Sequence, residues 1–147
     1  MKVFKNRKAR HNYFFIQELE AGIVLQGSEI KSIRAGKLSF KDSFASIEAG
    51  EVWLYSLHIS PYKYDSVFAP DPERKRKLLL NRREIKKIKS QMDEKGMTLI
   101  PVEIYVNDKG LAKIKIALAK GKRQYDKRED IKKKDVMRDM QRSMKLD

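Results

Sequence analysis

The 147-residue chain has no cysteine, which removes a disulfide framework and any thiolate-ligated metal. It has two histidines, His11 and His58, on different elements and without metal-ligand spacing. Glycine and proline number seven and four, and nowhere do they form a phosphate-cradling loop. Gly121-Lys122 lacks both the upstream glycine and the following Ser or Thr. No run approaches the ~18 consecutive apolar residues of a membrane-spanning helix, and Tyr13 to Ile16 is too short for a signal-peptide core. Acidic residues are outnumbered, 20 against 34 Lys and Arg. Glu18, Glu20, Glu29 and Asp42 are the candidates for a carboxylate-only nuclease centre, yet each reads more simply as a solvated or capping carboxylate. Catalytic residues, metal and cofactor are therefore expected to be none. The chain reads as cytoplasmic, without a membrane partner.

The length fits one domain with a real core, and 41% apolar with 37% charged residues indicates a globular chain with a very polar surface. The net charge of +14 is concentrated. Met1 to Arg10 contributes +5, Glu73 to Lys89 +7 and Lys120 to Asp147 +5, so the remainder carries −3. Clustered cations favour phosphate by releasing condensed counterions, and nucleic acid is the leading class of partner.

Tyr13 to Leu25 is rich in β-formers and predicts a long strand with a bend or bulge at Gly22. Ser28 to Ala35 predicts a short helix capped by Ser28 and ended by Gly36. Asp42 to Glu48 and Glu51 to Ile59 predict two strands joined by a tight Ala49-Gly50 hairpin. Pro61 to Pro72 reads as a loop. Asn81 and Glu84 form a capping-box pair opening a helix to about Lys95, with Ile85, Ile88 and Met92 buried. Met97 to Val106 and Leu111 to Ala119 predict a last pair of strands, the second burying Ala112, Ile114, Ile116 and Leu118. The fold class is mainly β: an OB-like closed antiparallel β-barrel with flanking helices over residues 1–119, followed by a flexible basic tail over 120–147.

Asn6 to Phe15 (NRKARHNYFF) interleaves cations with aromatics, the combination for phosphate contact plus base stacking, though Tyr13 to Phe15 also suit a strand core. Lys113 and Lys115 share one strand face and make a better binding surface. Arg82, Arg83, Lys86, Lys87 and Lys89 read equally as a solvated or a phosphate-binding helix face. The tail holds 11 Lys or Arg against 6 Asp or Glu, too polar to order alone. Val136, Met140 and Met144 are spaced i, i+4, giving a narrow apolar stripe that folds only on contact.

In order along the chain, KARHNYF (Lys8 to Phe14), EAGIVLQGSEIKSIRAG (Glu20 to Gly36), DSFASI (Asp42 to Ile47), HISPY (His58 to Tyr62), RKLLLNRREI (Arg76 to Ile85), GMTLIPVEIY (Gly96 to Tyr105) and KIKIALAKGKRQYDKRE (Lys113 to Glu129) resemble the SsrA-binding proteins (SmpB), partners of transfer-messenger RNA (tmRNA). The resemblance implies a non-catalytic adaptor that binds the tRNA-like domain of tmRNA and brings it to ribosomes stalled without a stop codon. Glu29, Leu80 and Lys113 match the family's tmRNA-contact positions; Lys8, Arg10, His11, Lys31, Arg76, Asn81 and Lys115 lie in or beside the same blocks. Glu29 cannot attract phosphate, so it would accept hydrogen bonds from base or ribose, or orient a neighbouring cation. Gly121, Lys122, Tyr125, Asp126, Lys127 and Arg128 match the decoding-centre motif on small-subunit ribosomal RNA. Tyr125 stands where many members carry His, which keeps stacking and loses a titrating ring. Lys132, Lys133, Lys134, Met137, Arg138, Met140 and Arg142 would line the vacant mRNA channel as a helix. A monomer is the simplest state for an RNA-covered chain. A constitutive ribosomal or assembly protein on the same barrel is the rival reading; an RNA-processing enzyme has no catalytic constellation to support it.

Overall fold

A computed structural model describes residues 2–62, 69–93 and 96–122. The expected tail from Arg123 onward, including Tyr125 to Arg128 and the channel residues 132–142, lies outside the described residues. The elements are β1 (Lys2–Lys5), α1 (Arg7–Asn12), β2 (Tyr13–Ile23), α2 (Gly27–Arg34), β3 (Leu38–Ser39), β4 (Phe44–Glu48), β5 (Glu51–Tyr55), β6 (His58–Ile59), β7 (Arg76–Leu79), α3 (Arg82–Met92), β8 (Met97–Val106) and β9 (Ala112–Gly121). The described residues form one seven-stranded antiparallel sheet in the order β1-β8-β4-β5-β7-β2-β9, with β8 and β9 also paired, and a small β3-β6 sheet.

Period-2 alternation builds the core. Ile114, Ile116 and Leu118 of β9 are fully buried, together with Val52, Leu54, Leu78, Leu99 and Ile104 from β5, β7 and β8. Ile33 of α2 and Ile88 of α3 fill the same cluster. A second, smaller cluster lies on the other side of β8 and β9, where Ala9 of α1 meets Ile100, Val102, Ala117 and Ala119. Neither α1 nor β1 is expected from the sequence, since β1 is only four residues long and α1 is almost wholly polar. Asn6 fixes them: its side chain accepts from Ala9 N at 3.3 Å and donates to Pro101 O at 2.8 Å, while its own amide reaches Val102 O at 2.7 Å. Pro101 lies between the β8 residues that pair with β1, ending at Glu103, and Leu99, which pairs with β4. A residue without an N–H is tolerated at such a break in a ladder.

Several features of the elements differ from the sequence expectation. The bulge in β2 falls between Phe15 and Gln17, not at Gly22. Gly22 instead lets β7 approach: a Cβ there would meet Leu79 Cβ at 3.3 Å. Helix α2 starts at Gly27 with Gln26 as its cap, because the Glu29 carboxylate accepts the Gln26 amide at 2.9 Å. The strand expected from Glu51 to Ile59 is broken at Ser56, whose φ of 61° turns the chain and sends His58–Ile59 to pair with β3. The last strand continues through Gly121, which pairs with Tyr13. The Ala49-Gly50 hairpin has φ of 51° and 77°, matching a turn that needs two left-handed residues.

At α3 the expected capping box is present: Asn81 Oδ1 accepts Glu84 N at 2.8 Å, and Asn81 N donates to Glu84 Oε1 at 3.3 Å. Asn81→Ala should cost about 1 kcal/mol in urea denaturation with an unchanged slope against denaturant. A loss under ~0.3 kcal/mol would mean that tertiary packing alone sets this helix start.

Candidate nucleic-acid interface

Glu29 sits in the first turn of α2 and is 3% exposed. Burial alone would raise its pKa. The Arg74 guanidinium, the Gln26 amide and Arg76 together outweigh that penalty, so its carboxyl is held below the usual range. Arg74 Nε lies 3.2 Å from both carboxylate oxygens, and its Nη2 also donates to Oε1. Arg76 Nε donates to Oε2 at 2.7 Å.

Arg76, expected among the RNA-contacting cations, has a side chain with no exposed area. Its remaining donors reach Leu57 O, just past the Ser56 turn, and Pro72 O at 3.0 Å. Burial lowers its pKa and the Glu29 contacts oppose that shift. Arg76 therefore ties α2, the β5–β6 corner and the Pro72 segment together from inside. Arg74 keeps 27% of its side chain exposed and donates to Val24 O at 3.4 Å, directly after β2.

That end of β2 gathers residues far apart in sequence. Gly22 pairs with Leu79 on one side and with Lys113 on the other, and Lys113 in turn pairs with Tyr105. Leu79, 53% exposed, and Lys113 thus flank a glycine in one outward row. Arg74 and Glu29 lie about two residues further along β2, roughly 7 Å in an extended strand. Leu80 is half-buried against the core. Leu79 is the exposed neighbour, which strand parity after the buried Arg76 and Leu78 would have indicated. Lys115 occupies the next row between Glu20 and Glu103. Glu103, at 3.1 Å, raises its pKa above that of a free lysine.

The other expected residues fall in three further places. Lys8 and His11 line a cleft between α1 and Ser39–Ser43, with Lys5, Arg7 and Lys41. Arg10 faces the root of the tail: it lies 5.8 Å over the Phe15 ring, and Lys122 Nζ donates to Arg10 O at 3.3 Å. Lys122 also sits 4.9 Å over Phe14. Lys31 is 5.2 Å over the Tyr62 ring, and Asn81 caps α3. Among the described residues no group of three His, Cys, Asp or Glu is placed to hold a metal ion, and no helix is long and apolar enough to cross a membrane.

A family model described as SmpB protein matches residues 3–146. The chain belongs to the SmpB family. An SsrA-binding protein of Acetivibrio thermocellus is 55% identical over 143 residues, covering 97% of this chain and 92% of that protein. SsrA-binding proteins of Enterococcus faecalis and Desulfitobacterium hafniense are 52% and 56% identical over 97% and 93% of this chain, and over 92% and 87% of their own lengths. A chain in a solved structure described as "tmRNA-SmpB: a journey to the center of the bacterial ribosome" superposes with a TM-score of 0.71 at 48% identity, covering 82% of this chain and 84% of that one. SmpB membership thus spans nearly the full sequence, including the blocks that carry Glu29, Leu80 and Lys113.

Proposed function

We propose that this chain is a non-catalytic, cytoplasmic RNA-binding adaptor of ribosome rescue. It binds the tRNA-like domain of tmRNA and carries it to stalled ribosomes. The observation that carries the reading is the convergence at the end of β2, where Lys113 and Leu79 flank Gly22 and the Glu29-held Arg74 bonds the chain two residues on. These positions run from Glu29 to Lys113; Glu29, Leu79 and Lys113 lie within the motif blocks that resemble the SsrA-binding proteins, and Arg74 lies two residues before one of them. Glu29 acts there as a positioning residue: its carboxylate is engaged by two guanidiniums, so it presents Arg74 to phosphate or base and leaves direct contact to Arg74. Arg76 supports the interface from below. The OB-like closed barrel belongs to the same proposal; pairing that runs from β8 through β4, β5, β7, β2 and β9 back to β8 supports it. The division into a barrel over 1–119 and a tail over 120–147 is also part of the proposal, with β9 carrying the barrel on through Gly121 and Gly121 to Arg128 addressing the decoding centre.

Competition binding at physiological salt tests the assignment. The tRNA-like domain of tmRNA should displace an equal length of ribosomal RNA and be displaced by it poorly. Equal affinity for the two would favour the rival reading, a constitutive ribosomal RNA-binding protein.

A further inference from the structure

We propose that α3 carries a second, sequence-independent RNA surface, which meets the phosphate backbone of a structured RNA through Arg82, Arg83, Lys86 and Lys87. The inference rests on the RNA-binding reading above and extends it to the outer face of α3, beyond the expected contact at its cap, Asn81.

At about 100° per residue, Ile85, Ile88 and Met92 occupy one sector of α3 and pack on the core. Lys89, Arg82, Lys86, Arg83 and Lys87 follow one another around the opposite sector, interrupted only by Ser90. All five are exposed. Three lysines elsewhere have carboxylate partners: Lys75 with Glu48 at 3.9 Å, Lys77 with Glu51 at 2.9 Å, Lys115 with Glu103 at 3.1 Å. Among the described residues none of the five α3 cations has one. Glu84, the acidic residue of the helix, is engaged in the cap.

The arrangement works against the helix itself. Arg82 and Arg83 occupy the first turn, where the positive end of the macrodipole disfavours cations. Arg82 with Lys86 and Arg83 with Lys87 are like-charge pairs at i, i+4, which also destabilise a helix. A polyanion would reverse both effects. The arc offers two Arg forks for bidentate phosphate contact and no exposed apolar anchor. Since Ile85, Ile88 and Met92 face the core, the helix has no apolar stripe free to enter a lipid interface. Arg82 to Lys87 covers five residue steps, about 7.5 Å of helix. That length suits neighbouring phosphates along a backbone better than a single anion.

The test uses the full chain with Arg82→Gln, Arg83→Gln, Lys86→Gln and Lys87→Gln combined, since Gln matches Lys and Arg in helix propensity. Affinity is measured across a salt series for the tRNA-like domain of tmRNA and for an unrelated RNA duplex of equal length. The log–log salt slope should flatten by about one per lost phosphate contact. Both affinities should fall about tenfold or more in parallel, leaving their ratio unchanged. The thermal midpoint should hold or rise, because the internal repulsion is gone. An unchanged salt slope overturns the proposal. So does unchanged RNA binding accompanied by lost capture on phosphatidylserine–phosphatidylcholine vesicles, which would assign the face to a membrane. A wild-type chain that fails to prefer the tRNA-like domain sinks the adaptor reading instead, and the slope comparison still judges α3 by itself.

Discussion

Glu29→Ala should cost about 3–5 kcal/mol in urea denaturation, a third or more of the stability of an ordinary domain. The reason is the charge left behind. Arg76 has no exposed side-chain area and cannot deprotonate, so removing its carboxylate leaves a buried guanidinium with two carbonyl partners and no carboxylate bonded to it, Asp71 acting only from a distance. The exposed pairs set the contrast: Lys75–Glu48 and Lys77–Glu51 are each about half open to solvent, and breaking either should cost under ~1 kcal/mol. Substituting Glu29 and Arg76 together with apolar residues of similar volume should recover much of the loss, because the cost lies in the orphaned charge more than in the missing bond. If Glu29→Ala cost no more than a surface pair, the cluster would have to be solvated.

The same carboxylate gives stability a pH dependence of known sign. Its folded pKa lies below the unfolded value, so its contribution is fully present above roughly pH 4.3 and is lost as pH falls through the folded value. The acid limb of a stability–pH curve should therefore be shallower in Glu29→Ala than in wild type. Arg74→Ala should cost less stability than Glu29→Ala, because Arg76 still neutralises the buried carboxylate, while tmRNA affinity in the same titration should fall.

Deleting Asp130 to Asp147 should leave tmRNA affinity within a few-fold and abolish tagging on stalled ribosomes. These 18 residues hold six Lys or Arg and four Asp or Glu, with apolar residues confined to a narrow stripe. That composition, with counter-charge needed from a polyanion, is the sequence ground for expecting this segment to serve on the ribosome and not in holding tmRNA. Binding and tagging are read on the same preparation, by titration with the tRNA-like domain and by peptide tagging in a reconstituted stalled-translation system. Loss of tmRNA affinity on truncation would contradict the two-part division.

Much of the fold was legible before any coordinates. The β9 alternation, the Ala49-Gly50 hairpin and the Asn81–Glu84 cap are local signals in which side-chain period or turn chemistry leaves little freedom. Where the reading went astray, a non-local partner had overridden a local cue. Gly22 is required by the approach of Leu79, a residue 57 positions away, and the bulge falls elsewhere. Helix α1 carries only one buried residue, Ala9, so periodicity had nothing to detect; Asn6 and the β8 carbonyls hold it. The strand after Glu51 breaks because Arg76 takes the Leu57 carbonyl, which no window around Ser56 reveals.

For the interface, composition by itself determined that the partner is anionic, since three stretches hold more than the whole net charge, and the motif blocks pointed to the family. Which cations face outward was decided only by tertiary structure. Arg74 and Arg76 are two residues apart on the same basic run and both reach Glu29; Arg76, in β7, is buried under the Pro72 segment, while Arg74, ahead of the strand, stays partly open. A charge pattern records how many cations a segment carries. Only the packed chain decides which of them a buried carboxylate has already claimed.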